Sequence, residues 1–189
     1  MDLTWKLVES EHVAQDRWID FRRLVYEMPD GTLMGPFYNY SRRNYAVVAA
    51  LDTEGNYLCV RQFRQGIGEV TTEFPAGGIE NYGSTDYEKT DREEDPLEAA
   101  KRELAEETGY VSDDWTHLLT IPSDATLGDN YAYLYLARNC EKKQDQQLDD
   151  TEFVNVQLIP AKELEEMANR GQFKQAIHVL ALKLAKEKL

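Results

Sequence analysis

The sequence predicts an α+β protein, an α/β/α sandwich in which helices enclose a mixed β-sheet behind a small N-terminal β segment. Three observations predict it. Strand-like runs fall before, between and after the helical ones. One of them, residues 45–51, is apolar almost throughout. One helix, between Asp95 and Gly109, carries stop and start signals at both ends.

Taken in order, residues 3–40 are short alternating stretches broken by turns, with a strand over 18–26 and a turn at Pro29-Asp30-Gly31. Residues 1–40 are read as the N-terminal β segment and 41–189 as the main domain, although the segment also suits the first sheet of that domain. The run 45–51 fits a strand covered on both faces. A turn at 52–56 leads to its hairpin partner over 57–64. A short strand over 70–74 ends at Pro75-Ala76-Gly77-Gly78, and the polar stretch 81–93 reads as an exposed loop. In the helix that follows, Asp95 serves as N-cap, Pro96 takes the first helical position and Glu98 completes a capping box. Gly109 supplies the left-handed stop. Strands over 115–121 and 131–137 flank a loop at 122–130. A polar loop over 141–150, a strand over 152–158 and helices over 161–169 and 173–189 complete the chain.

The chain has 189 residues, 21 basic and 35 acidic, so its formal charge is 21 − 35 = −14. That balance argues against nucleic acid and anionic membranes, which need a basic surface. No segment approaches the roughly 20 apolar residues needed to span a bilayer. Cys59 and Cys140 are too few for a disulfide framework and read as half-buried thiols. The opening residues lack the apolar stretch of a signal peptide, so a reducing cytoplasm is the expected location.

Chemistry concentrates on the capped helix. At 100° per residue, Leu97, Ala100, Leu104 and Thr108 form its core-facing stripe. Glu103 and Glu107 project together beside that stripe, with Glu106 further round. Three carboxylates near a helix C-terminus repel one another and oppose the helix dipole. A divalent cation offsets that cost, and hard oxygen ligands favour Mg²⁺ or Mn²⁺ over Zn²⁺. A solvated acidic face accounts for the same residues.

The run Arg102-Glu103-Leu104-Ala105-Glu106-Glu107-Thr108-Gly109-Tyr110, with Glu94 eight residues before Arg102, resembles the second half of the Nudix box. Seven specified positions match at the required spacing. The box's first Gly is displaced: its counterpart is Gly77 within Glu73-Phe74-Pro75-Ala76-Gly77-Gly78-Ile79-Glu80, so 94 − 77 = 17 replaces a step of six, an insertion of 11 residues within 81–93. Loop-closure entropy grows slowly with length, so the insertion is tolerable to the fold. The same segment and Val60-Arg61-Gln62-Phe63-Arg64 are similar to Nudix hydrolases that act on ADP-ribose and related nucleotide sugars.

The resemblance implies a Nudix fold and an Mg²⁺-dependent pyrophosphohydrolase, with Mn²⁺ as an alternative metal. Its substrate would be a small nucleotide sugar, ADP-ribose first, cleaved to nucleoside monophosphate and sugar phosphate. GDP-mannose, NADH or a catalytically idle nucleotide-sensing domain are the alternatives. Glu103 and Glu107 would be the main metal ligands, with Glu106 and the Ala76 carbonyl beside them. Arg102 would hold the neighbouring carboxylates, while Gly77 and Glu94 would support the loop–helix geometry. Glu152, in the acidic stretch 149–153, is nominated as general base, with Glu106 as its rival. Arg64 and Glu73 fall where the subgroup contacts phosphate and terminal sugar, and suit a structural salt bridge equally well. The resemblance further implies a homodimer in which the N-terminal segment crosses to the partner.

The remaining residues read blandly. His12, His117 and His178 lack ligand spacing and are expected to be structural. Trp18 or Tyr38 could stack on a base, with core packing the default expectation. Removal of RNA ends would want a basic path for the polymer, which −14 opposes.

Overall fold

Lys6–Gln15 (β1), Asp20–Glu27 (β2) and Leu33–Ser41 (β3) form an antiparallel sheet in the order β1-β2-β3. These strands come from a computed structural model that describes residues 2–16, 18–80, 93–148 and 153–189. Chain contacts divide it into two compact units, one comprising Met1–Asn44 with Pro122–Tyr131, the other Tyr45–Ile79, Glu94–Ile121 and Ala132–Leu189. In the first, Asp20 is buried and accepts hydrogen bonds from Arg22 Nε and His12 Nδ1, both at 2.6 Å. Trp18 and Tyr38 are exposed rather than packed in a core, and Tyr38 stacks on Phe21 with centroids 5.5 Å apart. Loop 122–130 is stapled to this unit: Ser41 Oγ donates to Asp129, and the Leu127 carbonyl accepts from Tyr40 N and Asn39 Nδ2.

The second unit carries the larger sheet. Its strands are Tyr45–Asp52 (β4), Asn56–Arg64 (β5), Glu69–Glu73 (β6), Ala76–Gly78 (β7), Tyr110–Val111 (β8), Asp114–Pro122 (β9), Tyr131–Lys142 (β10) and Asn155–Pro160 (β11). Helix α1, Pro96–Thr108, lies between β7 and β8 in the chain; α2, Ala161–Asn169, and α3, Ala176–Lys186, follow β11. The order is β11-β5-β4-β10-β8, with β6 beside β5, β7 beside β4 and β9 beside β10. Because β4 and β10 run parallel while β5 pairs antiparallel with β4, β6 and β11, the sheet is mixed, as expected.

β4 shows why a continuous apolar run was needed. Successive side chains of a strand point to opposite faces. Ala46, Val48 and Ala50 meet Ala100 and Leu104 of α1, whereas Val47, Ala49 and Leu51 meet Leu164 of α2 and Ala181, Leu182 and Ala185 of α3. Each large aliphatic enclosed this way contributes about 1.5–3 kcal/mol. The β4–β5 hairpin closes through Asp52, whose Oδ1 accepts from Glu54 N and Asn56 N, with Gly55 at φ 83°.

Three local expectations change. β10 continues past residue 137 to Lys142, across a register shift where Asn139 takes φ 53°. α3 starts at Ala176, and Phe173 lies before it with its buried ring 5.1 Å from that of Phe74. Cys59 and Cys140 are free and fully buried, one on each face of the sheet. Among the described residues no helix is long and apolar enough to cross a membrane.

Candidate active site

Helix α1 begins where the sequence places it: Asp95 Oδ1 accepts from Leu97 N at 2.9 Å and Glu98 N at 3.3 Å, while the Glu98 side chain turns to Lys101. Gly109 ends it at φ 77°, donating to Ala105 O. The register between these caps puts Ala100 and Leu104 into the core and leaves Glu103 and Glu107 buried at the rim of the same face.

One guanidinium organises the acids. Arg102 donates from Nε and Nη2 to the two oxygens of Glu94 at 3.1 and 3.0 Å. Its Nη1 reaches Glu103 at 2.7 Å and Glu106 at 3.0 Å, and Nη2 also donates to the Gly78 carbonyl at 2.9 Å. Burial disfavours the charge on Arg102, but the Glu94 and Glu103 carboxylates outweigh it and push its pKa up. Glu107 Oε2 instead accepts from Ala76 N at 3.0 Å. Arg102 with Glu94, Glu103 and Glu106, and Glu107 on the same helix, have a formal charge of −4 + 1 = −3.

β7 lies against this cluster and explains one glycine. A Cβ on Gly77 would stand 2.0 Å from the Glu103 carboxyl carbon, so any other residue here would push that carboxylate out of its place. The structure thus brings Ala76, Gly77, Glu94, Arg102, Glu103, Glu106 and Glu107 together. Arg64 and Glu73 form a separate pair at the other end of the 73–78 segment. Glu73 is completely enclosed, accepting from Arg64 Nε at 2.9 Å, from Thr71 Oγ1 and from Gln175 Nε2 at 3.2 Å. Burial opposes its charge, yet the Arg64 bonds prevail and hold its carboxyl below the usual range. An enclosed carboxylate cannot reach a sugar, so the salt-bridge alternative fits Glu73; Arg64 keeps 35% of its side chain exposed.

Glu152 lies outside the described residues. Residues 143–148 are described, and composition gave no hint of their role. Gln147 N donates to Glu106 O at 2.8 Å, and Gln146 Nε2 donates to Glu107 O at 2.6 Å. Amides rather than cations thus satisfy the last carbonyls of α1. A cavity of about 490 Å³ opens there, lined by Thr108, Tyr110, Lys142, Asp145, Gln146, Val156 and Leu158. His178, expected to be structural, is buried and accepts from Phe74 N through Nδ1 at 3.0 Å.

The donor set suits a hard divalent ion. Its ligands are all oxygens, its excess charge is negative, and it is half-buried, where charge is poorly screened. Among the described residues, however, no three His, Cys, Asp or Glu side chains already stand together as a ready ion cage. Arg102 and Ala76 N occupy oxygens of Glu103, Glu106 and Glu107 that an ion would share.

A family model for the NUDIX domain matches residues 41–179. The methanol dehydrogenase activator of Bacillus methanolicus is 29% identical over 153 residues, 80% of this chain and 76% of that protein. The ADP-ribose pyrophosphatase of Bacillus subtilis is 28% identical over 155 residues, 82% of this chain and 77% of that protein. A crystal structure of an ADP compounds hydrolase superposes with a TM-score of 0.79 at 20% identity, covering 100% of this chain and 96% of its own. That likeness is one of fold. With the matched domain spanning well over half of its length, the chain belongs to the NUDIX family.

Proposed function

We propose that this Nudix hydrolase cleaves the diphosphate linkage of nucleotide sugars, ADP-ribose foremost, to nucleoside monophosphate and sugar phosphate. The observation that carries the reading is the gathering of Glu94, Glu103 and Glu106 on Arg102, with the Ala76–Gly77 backbone pressed against Glu107 and Glu103. Glu103 and Glu107 would hold Mg²⁺, or Mn²⁺ in its place, with Glu106 and the Ala76 carbonyl alongside. Bound there, the ion would neutralise the diphosphate and lower the pKa of a bound water.

The chain's own groups do the rest. Arg102 fixes Glu94, Glu103 and Glu106 at set angles through its planar fork. Gly77 lets the backbone come close enough for a carbonyl to serve beside them. Arg64, with its exposed edge, faces phosphate, while Glu73 holds it in place. Glu152 is assigned as the base that takes the proton of the attacking water, and Glu106, with 38% of its side chain exposed, is the rival.

The two bacterial relatives are 29% and 28% identical and carry different names, so identity does not choose between their roles. Release of phosphate from ADP-ribose, GDP-mannose and NADH, coupled to a phosphatase and run with and without Mg²⁺, makes the choice. ADP-ribose is expected to lead. Tight binding without turnover of any of them would point to a sensing domain and reject the reading.

We assign residues 1–40 to a homodimer contact. All ten residues of β1 are exposed, Leu7, Val8 and Val13 among them, as are Trp5, Leu33 and Met34. Sedimentation of the full chain should give twice the mass of one chain; a monomer would reject the assignment. Two free thiols suit a reducing cytoplasm.

A further inference from the structure

We infer that His178 of α3 is a positioning residue for the metal-holding edge of the site, acting through the backbone of residues 74–76; the inference rests on the reaction proposed above. The 73–78 segment is tied down almost residue by residue. Glu73 is gripped by Arg64 and by Gln175, which precedes α3. Phe74 N donates to His178 Nδ1 at 3.0 Å, and Pro75 O accepts from Val48 N at 2.9 Å. Ala76 N then meets Glu107, Gly77 abuts Glu103, and Gly78 O accepts from Arg102. One end of the segment is thus referenced to α3 and the other to α1.

Planar peptides transmit such a reference. Between Phe74 N and the Ala76 carbonyl lie few soft torsions, each residue spanning at most about 3.6 Å. A shift at Phe74 therefore reaches Ala76 little diminished. The bland role for His178 is to satisfy one buried N–H, since buried donors are seldom left alone. Its place is more specific than that. The imidazole stacks beside the Phe74 ring at 14° and meets the Phe173 ring edge-on, so its acceptor is held in direction as well as distance. Burial keeps it neutral, its pKa pushed down to about 4, so Nδ1 stays an acceptor and the proton resides on Nε2.

The test compares His178→Leu, which removes the acceptor, with His178→Asn, whose amide oxygen falls near the position of Nδ1. Mn²⁺ binding without substrate, followed by electron paramagnetic resonance, is measured beside kcat and KM on the full chain. For Leu we expect Mn²⁺ affinity and kcat each about 10-fold lower, with KM nearly unchanged, and for Asn most of both restored. A folded Leu variant with wild-type Mn²⁺ affinity and kcat overturns the inference. If Leu does not fold, Asn is set against His178→Gln, whose amide sits one bond too far; equal behaviour of those two overturns it as well. A wild type that binds Mn²⁺ but hydrolyses no nucleotide sugar defeats the proposed reaction instead, and the metal affinities still decide the role of His178.

Discussion

Two arginines of the larger sheet unit meet glutamates in forked geometry, and they do opposite things. Arg64 faces one carboxylate, Glu73, whose remaining lone pairs go to the neutral donors Thr71 and Gln175. Charge sums to zero and the acid is sealed from water. Arg102 faces Glu94, Glu103 and Glu106, with Glu107 next to them, so four carboxylates stand near one guanidinium. The first cluster is complete and can only be damaged by change. The second gains from an added cation. Residue type is alike; exposure and stoichiometry separate a brace from a binding site.

The comparison breaks most sharply at Glu107. Glu107→Gln should lower kcat about 100-fold or more while circular dichroism reports an intact fold; near-normal turnover would mean the excess charge is idle. At the balanced pair the loss should appear in stability. Glu73→Gln leaves Arg64 without its counter-charge, costing about 3 kcal/mol and lowering Tm by roughly 10 °C. An unchanged melting curve would remove the brace from the account.

Acid probes the same brace from another side. The unfolded chain protonates His178 near its ordinary 6.5, whereas the folded chain resists until about 4. Between those values the unfolded state binds more protons, so stability falls as pH drops from 6.5 toward 4, by on the order of 3 kcal/mol. Glu73, with its carboxyl held low by Arg64, adds stability above the ordinary glutamate pKa of 4.5 and loses it only in stronger acid. Urea midpoints at pH 7, 5 and 4 should show the first loss, and His178→Asn should flatten it. The smallest effect sharpens the contrast. Mg²⁺ at ten times its Kd should stabilise the wild type by about 1.4 kcal/mol, or roughly 3–5 °C in Tm. Glu73→Gln should keep that increment and Glu103→Gln should lose it.

Much of this was legible in order of residues. The run 45–51 could only be a strand with two covered faces, and Asp95, Pro96 and Gly109 marked α1 to the residue. Motif spacing singled out the acids, and the structure adds that one guanidinium collects three of them. What stayed hidden depends on distant chain. Nothing beside His178 announces that its partner is an amide 104 residues away. The polar letters after residue 137 concealed a strand that continues because Asn139 absorbs the irregularity. Phe173 looked like the first helical anchor, yet it packs on Phe74 from outside α3. Trp18 and Tyr38 were expected to pack in a core, yet both are exposed.

The placement of the two thiols has a practical side. Cys59 packs toward α2 and α3, Cys140 toward α1, and burial raises both pKa values, that of Cys140 to about 12. An alkylating reagent added to the native protein should therefore wait for the sheet to part. Because the sulfurs look out from opposite sides, their separate labelling rates would time how each half of the sandwich peels away.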